Sequence, residues 1–120
     1  MLSNMPVVAT LAVSDMNRAR RFYEETLRLE VEADLVGTVR YSCGGGTALA
    51  IFERPMAPVD RTVAAFEVDD IEAEVSDLRQ RGVEVEGVIP VPGGVKRAFF
   101  KDPDGNVIGM RQLPDASEPT

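Results

Sequence analysis

No histidine occurs in this chain of 120 residues, and tryptophan is absent as well. The first absence removes the side chain that most often carries protons at neutral pH and most often ligates transition metals. Cysteine is reduced to one, Cys43, so no disulfide can close within the chain, and a thiol nucleophile would lack its usual activating base. Cys43 ends the strand-like "VRYSC" just before three glycines and reads as an inert thiol. No segment approaches the ~18 uninterrupted apolar residues of a membrane span, and the start "MLSNMPVVATLAV" lacks the basic region of a secretory signal. Positive charge is also short. Against 20 acidic residues stand 13 basic ones, and the resulting net charge of −7 repels phosphate-rich partners. Neither nucleic acid nor a membrane is expected as a partner, and a cytoplasmic setting is expected.

What the chain does have is an ordinary globular composition, 44% apolar and 28% charged. Its length suits a single domain that buries roughly two-thirds of the surface its unfolded form exposes. Within it lies an internal repeat. "VATLAVSDMNRA" (Val8 to Ala19) and "VAAFEVDDIEAE" (Val63 to Glu74) align without a gap at an offset of 55 residues.

Each copy opens on alternation, Ala9, Leu11, Val13 and then Ala64, Phe66, Val68, the pattern of a half-buried strand. A helix start follows, capped by Ser14 or Asp15 in one copy and Asp69 or Asp70 in the other. Apolar spacing then changes to three and four (Met16, Ala19, Phe22, Tyr23, Leu27; Ile71, Val75, Leu78), which predicts amphipathic helices. Gly82 is placed to stop the second helix. Short strands close each copy: 31–35, 38–43 and 47–52, then 84–91, 95–100 and 107–112. The order β-α-β-β-β therefore occurs twice, as an α+β domain with module one at about 6–53, a linker at about 54–61, module two at about 62–113 and a frayed tail at 114–120.

Two motifs carry a family likeness. "AVSDMNRARRFYEETLRLE" resembles the opening, and "FFKDPDGNVIGM" the closing, of the vicinal oxygen chelate superfamily, which includes glyoxalase I, extradiol dioxygenases, fosfomycin-modifying enzymes and bleomycin-resistance binding proteins. The resemblance spans about residues 6 to 113. It implies the glyoxalase/bleomycin resistance fold, in which the tandem modules form a curved mixed sheet shaped as a cup. It also implies a homodimer, in line with the need to cover open strand edges.

Metal-using members of that superfamily draw one ligand from the first strand and one from the last strand of each module. Carried over residue by residue, these positions are Val8 and Ala50 in module one and Val63 and Gly109 in module two. None offers oxygen, nitrogen or thiolate, so no metal and no cofactor is expected, and a metal-dependent glyoxalase or dioxygenase is a poor description of the chain. The turn "DPDG" reads as scaffold. Pro103 presets φ, Asp102 accepts from amides ahead of it, and Gly105 adopts a positive φ.

Strand parity points Val8, Thr10 and Ala12 away from the first helix, and Val63, Ala65 and Glu67 away from the second. The same parity turns Ala48, Ala50 and Phe52 inward, with Val107, Gly109 and Arg111. The expected ligand-binding residues are thus Thr10, Glu67 and Arg111 as polar groups, with Phe52 and Tyr41 as aromatic ones, Phe99 and Phe100 lying nearby. Glu67 and Arg111 are also placed to pair with each other. No catalytic residue is assigned. The expected function is metal-free binding of a small organic molecule, a drug or metabolite, with metal-independent isomerase, cyclase or lyase chemistry on a carboxylate as the alternative.

Overall fold

The structure, a computed structural model, describes residues 2–4, 8–55 and 62–114. Most of the expected linker and all but the first residue of the expected tail lie outside the described residues. The chain divides into two compact units, Met1–Pro58 and Val59–Thr120, each holding one copy of the repeat.

The first unit runs β1 (Val8–Val13), α1 (Met16–Arg20), a π-helical turn (Arg21–Thr26), β2 (Glu30–Leu35), β3 (Thr38–Ser42) and β4 (Ala48–Glu53). The second runs β5 (Thr62–Glu67), α2 (Ile71–Gln80), β6 (Ile89–Val91), β7 (Val95–Lys101) and β8 (Val107–Gln112). Each forms a mixed four-stranded sheet with the same order, β1-β4-β3-β2 and β5-β8-β7-β6, in which the first and last strands pair in parallel. The α+β class and the β-α-β-β-β order follow the sequence pattern. Among the described residues no helix is long and apolar enough to cross a membrane.

Local chemistry explains the elements. Asp15 and Asp70 are the helix caps, accepting from the amides of Arg18 and Ala73 at 3.2 Å each. A second acceptor reaches back from the last strand of each unit: Glu53 Oε2 takes the amide of Met16 at 2.7 Å, and Gln112 Oε1 that of Ile71 at 2.8 Å. The end of each sheet is thereby tied to the start of its helix. Gly82, at φ +85°, ends α2 in the left-handed region, as its position predicts.

The first helix departs from its pattern. Arg28 takes the left-handed stop at φ 59°, a conformation that costs a non-glycine residue about 1–2 kcal/mol. Asp15 and Asp70 stand at the repeat offset of 55, whereas Arg28 and Gly82 stand one short of it. The first helix thus contains one residue more, and the π turn absorbs it: the amide of Leu27 donates to the carbonyl of Phe22, five residues back, at 2.9 Å.

The second departure is β6, which is shorter than the expected strand 84–91. Residues 83–88 instead run along α2, where Arg79 donates twice to the Val85 carbonyl, at 3.0 and 2.6 Å, and the Val85 side chain is buried. Pro90 has no amide to donate, which suits β6 to a sheet edge.

In both units the helix covers one face of the sheet. Leu11, Val13, Leu49, Ile51, Val39 and Tyr41 are buried with Ala19 and Tyr23 in the first. In the second, Ile71, Val75 and Leu78 of α2 are buried with Ala98, Phe100, Ile108 and Met110. Alternation then sends the intervening residues of every strand to a helix-free face.

Candidate functional site

Register assigns the residues of these helix-free faces. In the first unit Thr10 stands beside Ala50 and Arg40, and Ala12 beside Phe52 and Thr38. Thr10 and Phe52 therefore share a face, together with the apolar Val8 and Ala50. The Arg54 guanidinium lies 6.0 Å from the Phe52 ring centre, within cation–π range.

Tyr41 is elsewhere. It pairs with Leu49, on the helix side, and is fully buried with its ring stacked on Tyr23 at 5.9 Å. Its hydroxyl donates to Glu24 Oε2 at 2.8 Å, and that carboxylate also accepts from Arg20 Nε at 2.6 Å. Arg20 reaches on to Asp34 at 2.8 Å. The Arg20 hydrogen bond holds the Glu24 carboxyl below its ordinary range, while burial first, and then the bond to Glu24, push the Tyr41 phenol well above its own. This network ties the π turn to β2 and β3, running from the core at Tyr41 to the surface at Asp34.

In the second unit Glu67 is the direct partner of Arg111 on the adjacent parallel strand. Their side chains meet, Arg111 Nη2 donating to Glu67 Oε1 at 2.7 Å, with 43% and 62% of the two side chains exposed. Gly109 is two pairs back along the strands, on the same face, beside Ala65 and Phe99. A Cβ at Gly109 would lie 3.5 Å from each of Cε1 of Phe99, Cβ of Ala65 and Cγ2 of Thr62, so these three side chains border the space that glycine leaves open. Val63 falls where the register shifts between Thr62 and Ala64, so the simple count from Val63 to Glu67 does not hold across the bulge. The pairing of Glu67 with Arg111 lies beyond it and is regular.

One residue of this face, Arg97, is missed by the sequence pattern, which places Phe99 only nearby. Arg97 is the cross-strand partner of Arg111, and Phe99 that of Gly109, both on β7. The signal was present: Ala98 and Phe100 are buried under α2, so Arg97 and Phe99 between them must face away. Phe100 is thus a core residue.

The four positions that correspond to metal ligands offer only two isopropyl groups, a methyl group and a hydrogen. They do not fit a divalent ion. Among the described residues no three acidic or cysteine side chains gather closely enough to hold one. Cys43 is half-buried, and burial pushes its thiol pKa up, away from nucleophilic use.

A doubled β-α-β-β-β unit in which each sheet carries its helix on one face defines a small tandem-module scaffold. The model of the Glyoxalase/Bleomycin resistance protein/Dioxygenase superfamily matches residues 6–110, and the chain belongs to that superfamily. Among solved structures it is similar to TnmS3, an antibiotic binding protein from Streptomyces sp. CB03234, at 31% identity over 94% of this chain and 98% of that one, with a TM-score of 0.78. A glyoxalase/bleomycin resistance protein from the same strain shares 32% identity over 90% of this chain and 100% of that one, with a TM-score of 0.73. A third, from Catenulispora acidiphila DSM 44928, shares 26% identity over 92% and 100%, with a TM-score of 0.75. No curated protein matches the chain significantly.

Proposed function

We propose that the protein binds a small organic molecule, a drug or metabolite, without a metal and without turning it over. The observation that carries this reading is the helix-free face of the second sheet, where the ion-paired Glu67 and Arg111 adjoin the apolar Phe99, Gly109 and Ala65. Apolar surface beside a few placed polar groups is the usual make-up of a small-molecule site. The likeness to an antibiotic binding protein at 31% identity supports the same class. Thr10 and Phe52 offer a second, less charged face in the first unit. Tyr41 is left out of the proposal, because its ring and hydroxyl are consumed in the core. Glu67 is engaged by Arg111, so the reading adopts binding over acid–base chemistry.

Thermal unfolding against a panel of antibiotics and metabolites tests it. A ligand at a hundred times its Kd stabilises the folded state by about 2.7 kcal/mol, a rise of several degrees in Tm, and chromatography should recover it unchanged. EDTA should leave Tm where it was. Consumption of the ligand, or a Tm that falls with EDTA and returns with a divalent ion, would overturn the reading.

A homodimer in the cytoplasm belongs to the same proposal. It is supported by β1, β2, β5 and β6 standing at the edges of the two sheets among the described residues, by the exposed Leu35 and Val36 at the end of β2, and by the lone thiol. Light scattering at micromolar concentration should give twice the chain mass, and a mass of one chain at that concentration would refute it.

A further inference from the structure

The helix-free face of the second sheet is organised in rows. One row crosses β6, β7, β8 and β5 as Ile89, Arg97, Arg111 and Glu67, and the next as Phe99, Gly109 and Ala65. Arg97 and Arg111 are direct antiparallel partners, which sets their Cβ atoms about 4.5–5.5 Å apart, and like charges so placed repel. Glu67 neutralises one of them. Arg97 is exposed and has no partner among the described residues, and Nε of Arg111 is shielded from water without an acceptor. On a chain of net charge −7, this row keeps an excess of positive charge and unmet donors.

The neighbouring row is apolar. Gly109 carries no side chain of its own, and the space above it is bordered by the edge of the Phe99 ring, the Ala65 methyl group and the Thr62 methyl group. Two residues along a strand separate the rows by roughly 7 Å. A carboxylate attached directly to a planar ring system falls short of that span, and the guanidinium groups of Arg97 and Arg111, on their flexible stems, reach across the remainder.

We propose that this face takes a planar aromatic carboxylate, with the ring system on Phe99 and Gly109 and the carboxylate between the guanidinium groups of Arg97 and Arg111. The inference rests on the reading of the protein as a small-molecule binder and names the chemical class of its ligand. A carboxylate there relieves the Arg97–Arg111 repulsion and accepts charge-assisted, fork-shaped hydrogen bonds, while the ring packs by offset stacking. A neutral molecule of the same shape gains only the stacking.

The matched probes are 2-naphthoate and its uncharged isostere 2-naphthamide, titrated calorimetrically into the full chain. Naphthoate should bind at least tenfold more tightly than the amide, and raising the salt concentration should narrow the difference. Arg97→Gln should lower naphthoate affinity by roughly 10- to 100-fold and leave the amide unchanged, whereas Arg97→Lys should retain most of the preference. Phe99→Ala should weaken both probes alike. Equal affinities for the two probes, or an indifferent R97Q variant that keeps the wild-type circular dichroism, would overturn the inference and leave the binding reading standing. If neither probe binds, the inference also falls, and the wider ligand panel decides the binding reading separately.

Discussion

Replacing Asp102 by alanine is expected to lower the unfolding free energy by about 3–4 kcal/mol and Tm by about 10–15 °C. The residue is 5% exposed and works as a three-fold acceptor in the turn between β7 and β8. Oδ1 takes the amides of Asp104 at 3.0 Å and Asn106 at 2.8 Å, and Oδ2 takes Nδ2 of Asn106 at 2.8 Å. Asn106 is itself 2% exposed, so truncating Asp102 strands two of its donors where water cannot replace the lost acceptor. Backbone bonds close the same turn, Gly105 donating to the Asp102 carbonyl and Asp102 to that of Asn106, with Gly105 at φ +86°. The variant Asp102→Asn keeps the shape and one acceptor but turns an NH₂ toward an Asn106 donor, and should fall between the two. Denaturant melts of the three proteins decide the matter; a loss below 1 kcal/mol for D102A would show that the turn holds without its carboxylate.

The same turn shows why part of this structure can be read in the sequence. Asp, Pro and Gly act over four or five residues, and their effect depends on nothing distant. The helix caps Asp15 and Asp70 and the stop at Gly82 are legible for the same reason. The strand faces are legible wherever alternation is unbroken, which is why Glu67 and Arg111 emerge on one face although they are 44 residues apart. The failures arise where long-range contacts decide. Residues 84–91 alternate like a strand, yet Arg79 claims the Val85 carbonyl and keeps the first half of the segment on the helix. Tyr41 looks like a ligand-facing aromatic residue until its partner Leu49 fixes its side of the sheet. The excess of positive charge on the second sheet is invisible along the chain, because Arg97 and Arg111 become neighbours only through the register of β7 with β8.

The π turn is the other feature that apolar spacing conceals, since Ala19, Tyr23 and Leu27 keep the four-residue interval of an ordinary helix. Its consequence is measurable at Tyr23, where alanine should cost about 4 kcal/mol. Tyr23 is fully buried, stacks on Tyr41 and meets Phe22 edge to face at 5.3 Å between ring centres. Its carbonyl also accepts from the amide of Leu29 at 2.9 Å, just beyond the strained Arg28. Removing the ring therefore opens a cavity under the helix at the point where the extra residue is absorbed. Phe22→Ala, at a half-buried ring in the same turn, should cost about 1–2 kcal/mol, and Tyr41→Phe, which deletes only the bond to Glu24, about 1 kcal/mol. The order Tyr23 above Phe22 and Tyr41 separates packing from hydrogen bonding as the anchor of the turn. If Y41F proved as damaging as Y23A, the Glu24 hydrogen bond, and not the stacked rings, would be what holds the π turn against the sheet.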